Sequence, residues 1–401
     1  MNTVVIIGGG ASGMMAALTA AENEENKVIL LERQQRVGRK LLCTGNGRCN
    51  LTNTGASPEN YHGERADFVI PCLESFTPED ALGFFRSLGL VTVTEYGGRV
   101  YPLSNSANSV LDVLRLALMK PNIELRCSCR VTEIKRKNVG FRVITETDVL
   151  DADFVIVACG GAAGAKLGGV TDGYELLKAL GHRRTALRPT LVQLITDPTY
   201  PRALKGVRAM CRASLYLGDS LLKSSSGEMQ FTENGVSGPA AFDVSRAASE
   251  YGKTELRIDF LDGTDKAETE KILIDRVEKM PELSTDELLT GIVHNRLGRM
   301  LIKYAGLGGK LLRELSESDI KRVMAACTDF RLPVSGTEDF DHAQVTAGGI
   351  KTGAVNPATM ESLLVPGLFI CGELLDVDGD CGGYNLQWAW ASGRAAGRLG
   401  K

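Results

Sequence analysis

The stretch Val4-Val5-Ile6-Ile7-Gly8-Gly9-Gly10-Ala11-Ser12-Gly13 constrains this chain more than any other. Four consecutive β-branched residues make a short run that is apolar on both faces, as a central parallel strand must be. Gly8, Gly10 and Gly13 then form G-x-G-x-x-G, and the helix-forming residues Met14 to Ala21 follow. A second apolar strand, Lys27 to Leu31, ends in Glu32, 19 residues after Gly13. Strand, glycine turn, helix, strand and acid in this order specify a dinucleotide-binding unit. Gly8 permits the tight turn, Gly10 lets the backbone approach a pyrophosphate, and Gly13 lets the helix lie close to the strand. The helix N-terminus offers unpaired N–H groups to the phosphates, and Glu32 accepts from a ribose hydroxyl.

The rest of the chain decides which dinucleotide. After Glu32 runs Gly38-Arg39-Lys40-Leu41-Leu42-Cys43-Thr44-Gly45-Asn46-Gly47-Arg48-Cys49-Asn50-Leu51-Thr52-Asn53. It has little periodicity and is rich in Gly, Asn, Thr and Arg, which supply turns, donors and close backbone approach. Arg33, Arg36, Arg39, Lys40 and Arg48 make it basic in a chain whose net charge is −3. A second buried strand, Asp153 to Ala158, ends in Gly160-Gly161. No strand and acid follow at the spacing of a second nucleotide fold, so these glycines are expected to meet the same cofactor. Near the C-terminus, Leu368 to Cys371 is a third buried strand, ending in Gly372-Glu373. A glycine- and carboxylate-rich turn and a closing helix, Leu386 to Leu399, follow. Three separated segments converging on one extended ligand fit FAD better than a nicotinamide dinucleotide. Glu373 or Asp376 would meet ribitol hydroxyls. The helix start at Gly383-Tyr384-Asn385 would set positive potential by the flavin pyrimidine edge. Asp376, Asp378 and Asp380 have the spacing that opens a calcium loop. Cys381 and Gln387, however, stand where that loop needs Gly and Glu, so no metal is assigned.

At 401 residues the chain exceeds one core. Thr77-Pro78-Glu79-Asp80 caps a helix over 77–90. Val91–Glu95 and Arg99–Tyr101 suggest a hairpin, and Ser109–Met119 another helix. From about Thr190 the texture changes to short β-type runs (Leu191–Ile195, Ala213–Leu217, Glu255–Phe260), with a turn-rich loop at 232–239. Helices are expected over Asp265–Met280, Thr285–Gly291, Asn295–Ala305, Lys310–Leu315 and Glu317–Cys327, the last with Ser316 as N-cap. Residues 190–345 thus form an insertion: a small β unit carrying its own helices. Ten scattered cysteines fit reduced thiols. Met1-Asn2-Thr3 has no basic leader character, and no apolar run reaches the length of a membrane span, so a cytoplasmic protein without membrane contact is expected.

The loop 38–53, Val345-Thr346-Ala347-Gly348-Gly349, the segment Val355 to Ser362, and Gly372-Glu373 through Gly383-Tyr384-Asn385-Leu386-Gln387 closely resemble the BaiN/RdsA-like (YhiN-like) NAD(P)/FAD-dependent flavoproteins, which include aminoacetone oxidase. The resemblance covers essentially the whole chain. It implies an α/β fold: a Rossmann-type FAD-binding domain (1–189 and 346–401) interrupted by a β-barrel-like insert (190–264 and 329–345) with a helical subdomain (265–328). It also implies FAD contacts from Gly8, Gly10, Ala11, Ser12, Gly13, Glu32, Arg33, Arg39, Lys40, Thr44, Gly45, Asn46, Arg48, Cys49, Asn50, Val131, Gly160, Gly372, Glu373, Asp376, Gly382, Gly383, Tyr384, Asn385 and Leu386. Asp380-Cys381 departs from the resembling proteins, which more commonly carry an uncharged residue and Thr or Asn there.

Such proteins oxidise an amine and form peroxide, reduce unsaturated bile-acid intermediates, or reduce a uridine in large-subunit ribosomal RNA. The expected activity is hydride transfer between flavin N5 and substrate. NAD(P)H would be the transient reductant and a C=C bond, in ribosomal RNA or a small molecule, the acceptor. The RNA version needs a basic surface, and Arg202, Lys205, Arg208 and Arg212 cluster in the insert. Two alternatives are an aminoacetone-type oxidase and a thiol–disulfide flavoprotein using Cys43 and Cys49. The two cysteines have five residues between them where the disulfide enzymes have four. A flavin-binding sensor without turnover is a fourth reading. Of His62, His182, His294 and His342, only His342 lies near one of these motifs, and no catalytic acid is assigned. The oligomeric state is open.

Overall fold

The computed structural model describes residues 2–400 and separates into two compact units, Met1–Arg188 with Gln344–Lys401, and Pro189–Ala343. In the first unit the opening apolar run forms strand β1 (Asn2–Ile7), followed by helix α1 (Ala11–Ala20) and strand β2 (Asn26–Leu31). Three more strands complete the sheet: β3 (Ile123–Arg126), β4 (Phe154–Val157) and β5 (Leu368–Ile370). All neighbours are parallel, in the order β5-β4-β1-β2-β3. β1 therefore has a strand on each side, and Val4, Val5 and Ile6 are fully buried, as their uninterrupted apolar sequence requires.

The closing helix, α2 (Tyr384–Gly397), packs on α1 through its small residues. A Cβ on Gly393 would lie 2.4 Å from Ser12 O, and one on Gly397 2.6 Å from Ala16 O. The two backbones approach closely because these positions carry no side chain. Polar side chains of α2 then fix its rotation. Gln387 accepts from Thr52 Oγ1 at 2.7 Å and donates to Phe76 O at 2.8 Å. Trp390 Nε1 donates to Leu51 O at 2.9 Å.

The capped helix runs Pro78–Ser87. Thr77 Oγ1 accepts from Asp80 N, and Asp80 Oδ2 accepts from Thr77 N at 2.9 Å. The hairpin is present as Thr92–Thr94 against Arg99–Pro102, and Thr52-Asn53 adds a third strand to it.

In the second unit six antiparallel strands close a barrel in the order 194–196, 235–237, 220–231, 208–217, 254–259 and 330–337. A helix absent from the sequence reading, Pro239–Tyr251, packs its face of Ala240, Ala241, Val244 and Ala248 against the barrel. Small side chains let it lie close to the strands but give a weak apolar stripe. Pro239 at its first turn was the available start signal.

Helices Lys266–Lys279, Asn295–Tyr304 and Glu317–Thr328 are present. Asp265 caps the first rather than joining it, accepting from the N–H groups of Ala267 and Glu268, and Ser316 caps the last. The expected helices over 285–291 and 310–315 are only single turns, Thr285–Glu287 and Leu312–Glu314. Segments that short cannot offset helix nucleation. Residues 265–328 share one apolar core with the barrel, with Leu273, Leu297 and Val323 packed alongside Leu256 and Phe330. No helix among the described residues is long and apolar enough to cross a membrane.

Candidate functional site

The first unit holds a cleft of about 1370 Å³, counting its open mouth, along the C-terminal ends of the parallel strands. This is where ligands bind in such sheets. Its walls come from the three segments singled out in the sequence: Gly8 to Ser12 with Glu32 and Arg33, then Arg39, Lys40 and Thr44, then Glu373, Asn385 and Leu386. Val131 and Gly160 also line it.

The glycines of the first turn differ in what surrounds them. Gly8 has φ +107°, and a Cβ there would lie 2.4 Å from Ala158 O. A Cβ on Gly13 would lie 1.8 Å from Gly8 O. These two are demanded by the fold. Around Gly10 there is nothing within 4 Å of a Cβ position, so its lack of a side chain leaves open space at the start of α1. Gly9, which sequence reasoning passed over, is confined by Val37 Cγ1 at 2.5 Å. The signal was available, since Gly9 completes an unbroken Gly8-Gly9-Gly10.

Glu32 stands beside the turn. Its Oε2 accepts from Gly9 N at 2.8 Å and its Oε1 from Gln34 N at 2.7 Å. A carboxylate has about four lone-pair sites, so about two remain to face the cleft. Arg39 is held by Gln34 Oε1 at 2.7 Å and Lys166 O at 3.2 Å, and Arg33 reaches Gly168 O at 3.4 Å.

Lys40 and Glu373 form an ion pair at 2.6 Å across the cleft wall. Glu373 Oε1 also accepts from Thr346 N at 2.8 Å, and Thr346 Oγ1 accepts from Ala163 N. A Cβ on Gly161 would meet both Thr346 Oγ1 and Glu373 Oε1. The strand end at Gly160-Gly161, the 345–346 segment and the C-terminal Gly-Glu turn therefore meet at one point. Thr346 and Gly161 belong with the site although the candidate set omitted them.

Other candidates lie away from the cleft lining. Gly45 and Asn46 take left-handed conformations in the basic loop (φ 57° and 56°). Arg48 is ion-paired to Glu95 and stacked on the Tyr101 ring at 3.9 Å, so its charge is already met. Cys49 is fully buried, and burial pushes its thiol up to about 12. Cys43 is exposed, and both are free thiols. A pair of this kind has no attacking thiolate at Cys49, which weighs against the disulfide reading. Asn50 Oδ1 is buried and accepts no hydrogen bond among the described residues.

Asp376 is buried and accepts from Glu64 N at 3.1 Å, a backbone contact rather than an open carboxylate. Gly372 (φ +75°) packs against Ser12 Oγ, and Gly382 and Gly383 turn the chain into α2. The Tyr384 carbonyl accepts from Tyr61 OH at 3.0 Å. Asn385 clasps the backbone of Gly379, accepting from its N–H and donating to its carbonyl, both at 2.8 Å.

The histidines divide by role. His62 Nε2 meets Asp380 Oδ1 at 2.8 Å, a pairing 318 residues apart that sequence reasoning missed. His182 is buried against Ser362 Oγ. His294 Nδ1 accepts from Arg296 N at a helix start. His342 is exposed beside Asp339.

A family model described as the HI0933-like protein Rossmann domain matches residues 2–399. The chain is 39% identical over 373 residues to the 3-dehydro-bile acid delta(4,6)-reductase of Clostridium scindens, covering 92% of this chain and 91% of that one. It is 28% identical over 369 residues to the ribosomal RNA dihydrouridine synthase of Escherichia coli, covering 90% and 89%. Among solved structures, 3-ketosteroid delta1-dehydrogenase from Sterolibacterium denitrificans aligns over 99% of both chains with a TM-score of 0.53 at 15% identity, a likeness of fold.

Proposed function

The chain belongs to the HI0933-like family of FAD-dependent oxidoreductases, and from that premise we propose that it reduces a carbon–carbon double bond in a small unsaturated molecule, with NAD(P)H as reductant. The observation that carries this reading is that two relatives, each matched along about nine-tenths of the chain, are named for double-bond reductions.

The residues fit FAD. The open space beside Gly10 and the start of α1 suit a pyrophosphate, and the remaining lone pairs of Glu32 suit ribose hydroxyls. Lys40 and Glu373 would meet the ribitol chain, and Asn385 with Leu386 the ring edge. Reduced FAD supplies a hydride from N5. The chain's own part is to bind and orient the cofactor and to keep water from the ring.

The choice of a small molecule over RNA is favoured by the second unit. Three members of its basic cluster are already matched: Lys205 by Glu233 at 2.8 Å, Arg208 by Glu228 at 3.3 Å and Arg212 by Asp262 at 2.9 Å. Such a surface has little net positive field for a phosphate backbone.

The test is an anaerobic half-reaction pair. FAD-loaded protein is reduced with NADH or NADPH, then mixed with a conjugated 3-oxo-4,6-diene steroid acid, with ribosomal RNA, or with oxygen and aminoacetone. Reoxidation by the dienone with loss of its conjugated absorbance supports the proposal. Reoxidation only by RNA would move the substrate to uridine. Peroxide formed from aminoacetone, with no response to either alkene, would replace the reductase by an amine oxidase.

A further inference from the structure

Beyond β4 the chain makes a loop that closes on itself. Val170 N donates to Gly161 O at 3.1 Å and Gly169 N to Gly164 O at 3.1 Å, so residues 161–170 leave and return at almost the same point. The base is fixed: Ala163 is buried, and its N–H donates to Thr346 Oγ1 at 2.9 Å. The tip is the single turn Ala165–Leu167, set between Gly164 (φ 74°) and Gly168 (φ 110°). Ala165 and Lys166 are exposed, while Leu167, Gly168, Gly169 and Val170 line the cleft. The basic segment after Glu32 lines the same cleft, and a Cβ on Gly168 would lie 3.8 Å from Gln34 Cγ. Two arginines bridge these walls. Arg33 Nη2 donates to Gly168 O at 3.4 Å and Arg39 Nη2 to Lys166 O at 3.2 Å. Among the described residues these are the only hydrogen bonds from the tip, 164–168, to parts of the chain outside the loop.

A loop whose ends meet and whose bonds are mostly its own moves as one piece about its base. Its latch is also able to serve a ligand. A guanidinium has five donors, and Arg39 spends only one more, on Gln34 Oε1 at 2.7 Å, so donors remain for a bound anion. The bridge crosses beside Glu32, whose Oε1 accepts from Gln34 N and whose position is that of the ribose acceptor in a dinucleotide fold. We propose that residues 161–170 form a strap over the adenosine half of FAD, latched by Arg33 and Arg39, that must open for the cofactor to enter or leave. The inference rests on the FAD reading above. Cofactor and closed strap hold the same two guanidinium groups, so each favours the other. The strap governs exchange of the cofactor in both directions and takes no part in the chemistry at the ring.

The test is the kinetics of FAD exchange, which needs no substrate. Because Val170 N already meets Gly161 O, replacing residues 162–169 by Gly-Gly leaves a β-turn with that hydrogen bond intact. Entry into the apoprotein is followed by stopped-flow flavin fluorescence, and release by capture in an excess of a tighter-binding apoflavoprotein. The shortened chain should take up FAD faster, by roughly threefold or more, because entry no longer waits for the open fraction. It should release FAD faster by roughly tenfold or more, the scale of one hydrogen bond to a charged group. Faster release with unchanged or slower entry would make the segment a contact rather than a gate and would overturn the proposal. If the shortened chain does not fold, trypsin on the wild type decides. Lys166 stands at the exposed tip, and cleavage after it, measured against cuts in the second unit, should be roughly tenfold faster in apoprotein than with saturating FAD, since cutting follows the population of the open form. Equal relative rates would overturn the strap. Failure of the wild type to bind FAD would sink the earlier reading, a result distinct from all of these.

Discussion

Gly10→Ala separates what the fold needs from what the cofactor needs. Gly10 has φ −78° and ψ −171°, an extended conformation open to any residue, and a Cβ there meets nothing within 4 Å. Two small effects on stability oppose each other. The stiffer unfolded chain favours the variant by about 0.4–1 kcal/mol. Ala is a poorer helix N-cap than Gly by on the order of 0.5–1 kcal/mol. The net change should stay within about 1 kcal/mol, so the Tm of the apoprotein should move by no more than ~4 °C. In the loaded protein the methyl occupies the space through which α1 approaches the pyrophosphate. Losing two charge-assisted hydrogen bonds at ~1.5–3 kcal/mol each removes about 3–6 kcal/mol. That corresponds to roughly 10²–10⁴ in Kd. Scanning fluorimetry without FAD and flavin-fluorescence titration report the two quantities separately. An Ala variant that keeps its Tm and binds FAD within about threefold of wild type would refute the placement of the phosphates. A Tm loss above ~8 °C would refute the claim that the position is open.

Gly393→Val should behave oppositely. Its Cβ would lie 2.4 Å from Ser12 O, so α1 and α2 must part, and apoprotein stability should drop by about 3 kcal/mol or more, read as a lower urea midpoint. The thiols give a third outcome: with a chromogenic disulfide reagent on native protein, Cys43 should react promptly and Cys49 only on unfolding, and reduced enzyme should show no thiolate-to-flavin charge-transfer band. Acid stability gives the fourth. Burial lowers the pKa of His182, so between its folded value and the unfolded value of about 6.5 the unfolded chain binds more protons. Stability should therefore fall as pH drops through about 6.5 and level off below the folded value, and His182→Gln should flatten that part of the pH–Tm curve.

What the sequence reveals here is what local chemistry encodes. The opening strand must be central because it is apolar on both faces, and three turn glycines announce themselves by spacing. The caps Thr77 and Ser316 are legible for the same reason, since each acts within three residues, whereas Asp265 is read as part of the helix that it caps. What stays hidden is long-range. Lys40 and Glu373 meet across 333 positions and His62 and Asp380 across 318, and no local pattern prepares either pairing. The helix 239–251 hides differently. Its buried face is largely alanine, so it packs well without the periodic large side chains that signal a helix. At 285–291 and 310–315 the propensity was real but the segments too short.

The interrupted first unit carries a consequence for synthesis. β4 and β5 are hydrogen-bonded neighbours, yet the whole second unit is translated between them. α1 receives its packing partner only when Gly393 and Gly397 emerge. At 5–20 residues per second, α1 waits roughly 20–75 s for the helix that covers it. The last barrel strand, 330–337, is translated before β5 and α2, so the barrel can fold as a unit while the first unit is still incomplete. The nucleotide-binding half cannot, and its apolar strands stay unpaired at one edge through most of translation. Chaperone dependence and aggregation of truncated chains should therefore concentrate in the half that looks simplest in sequence.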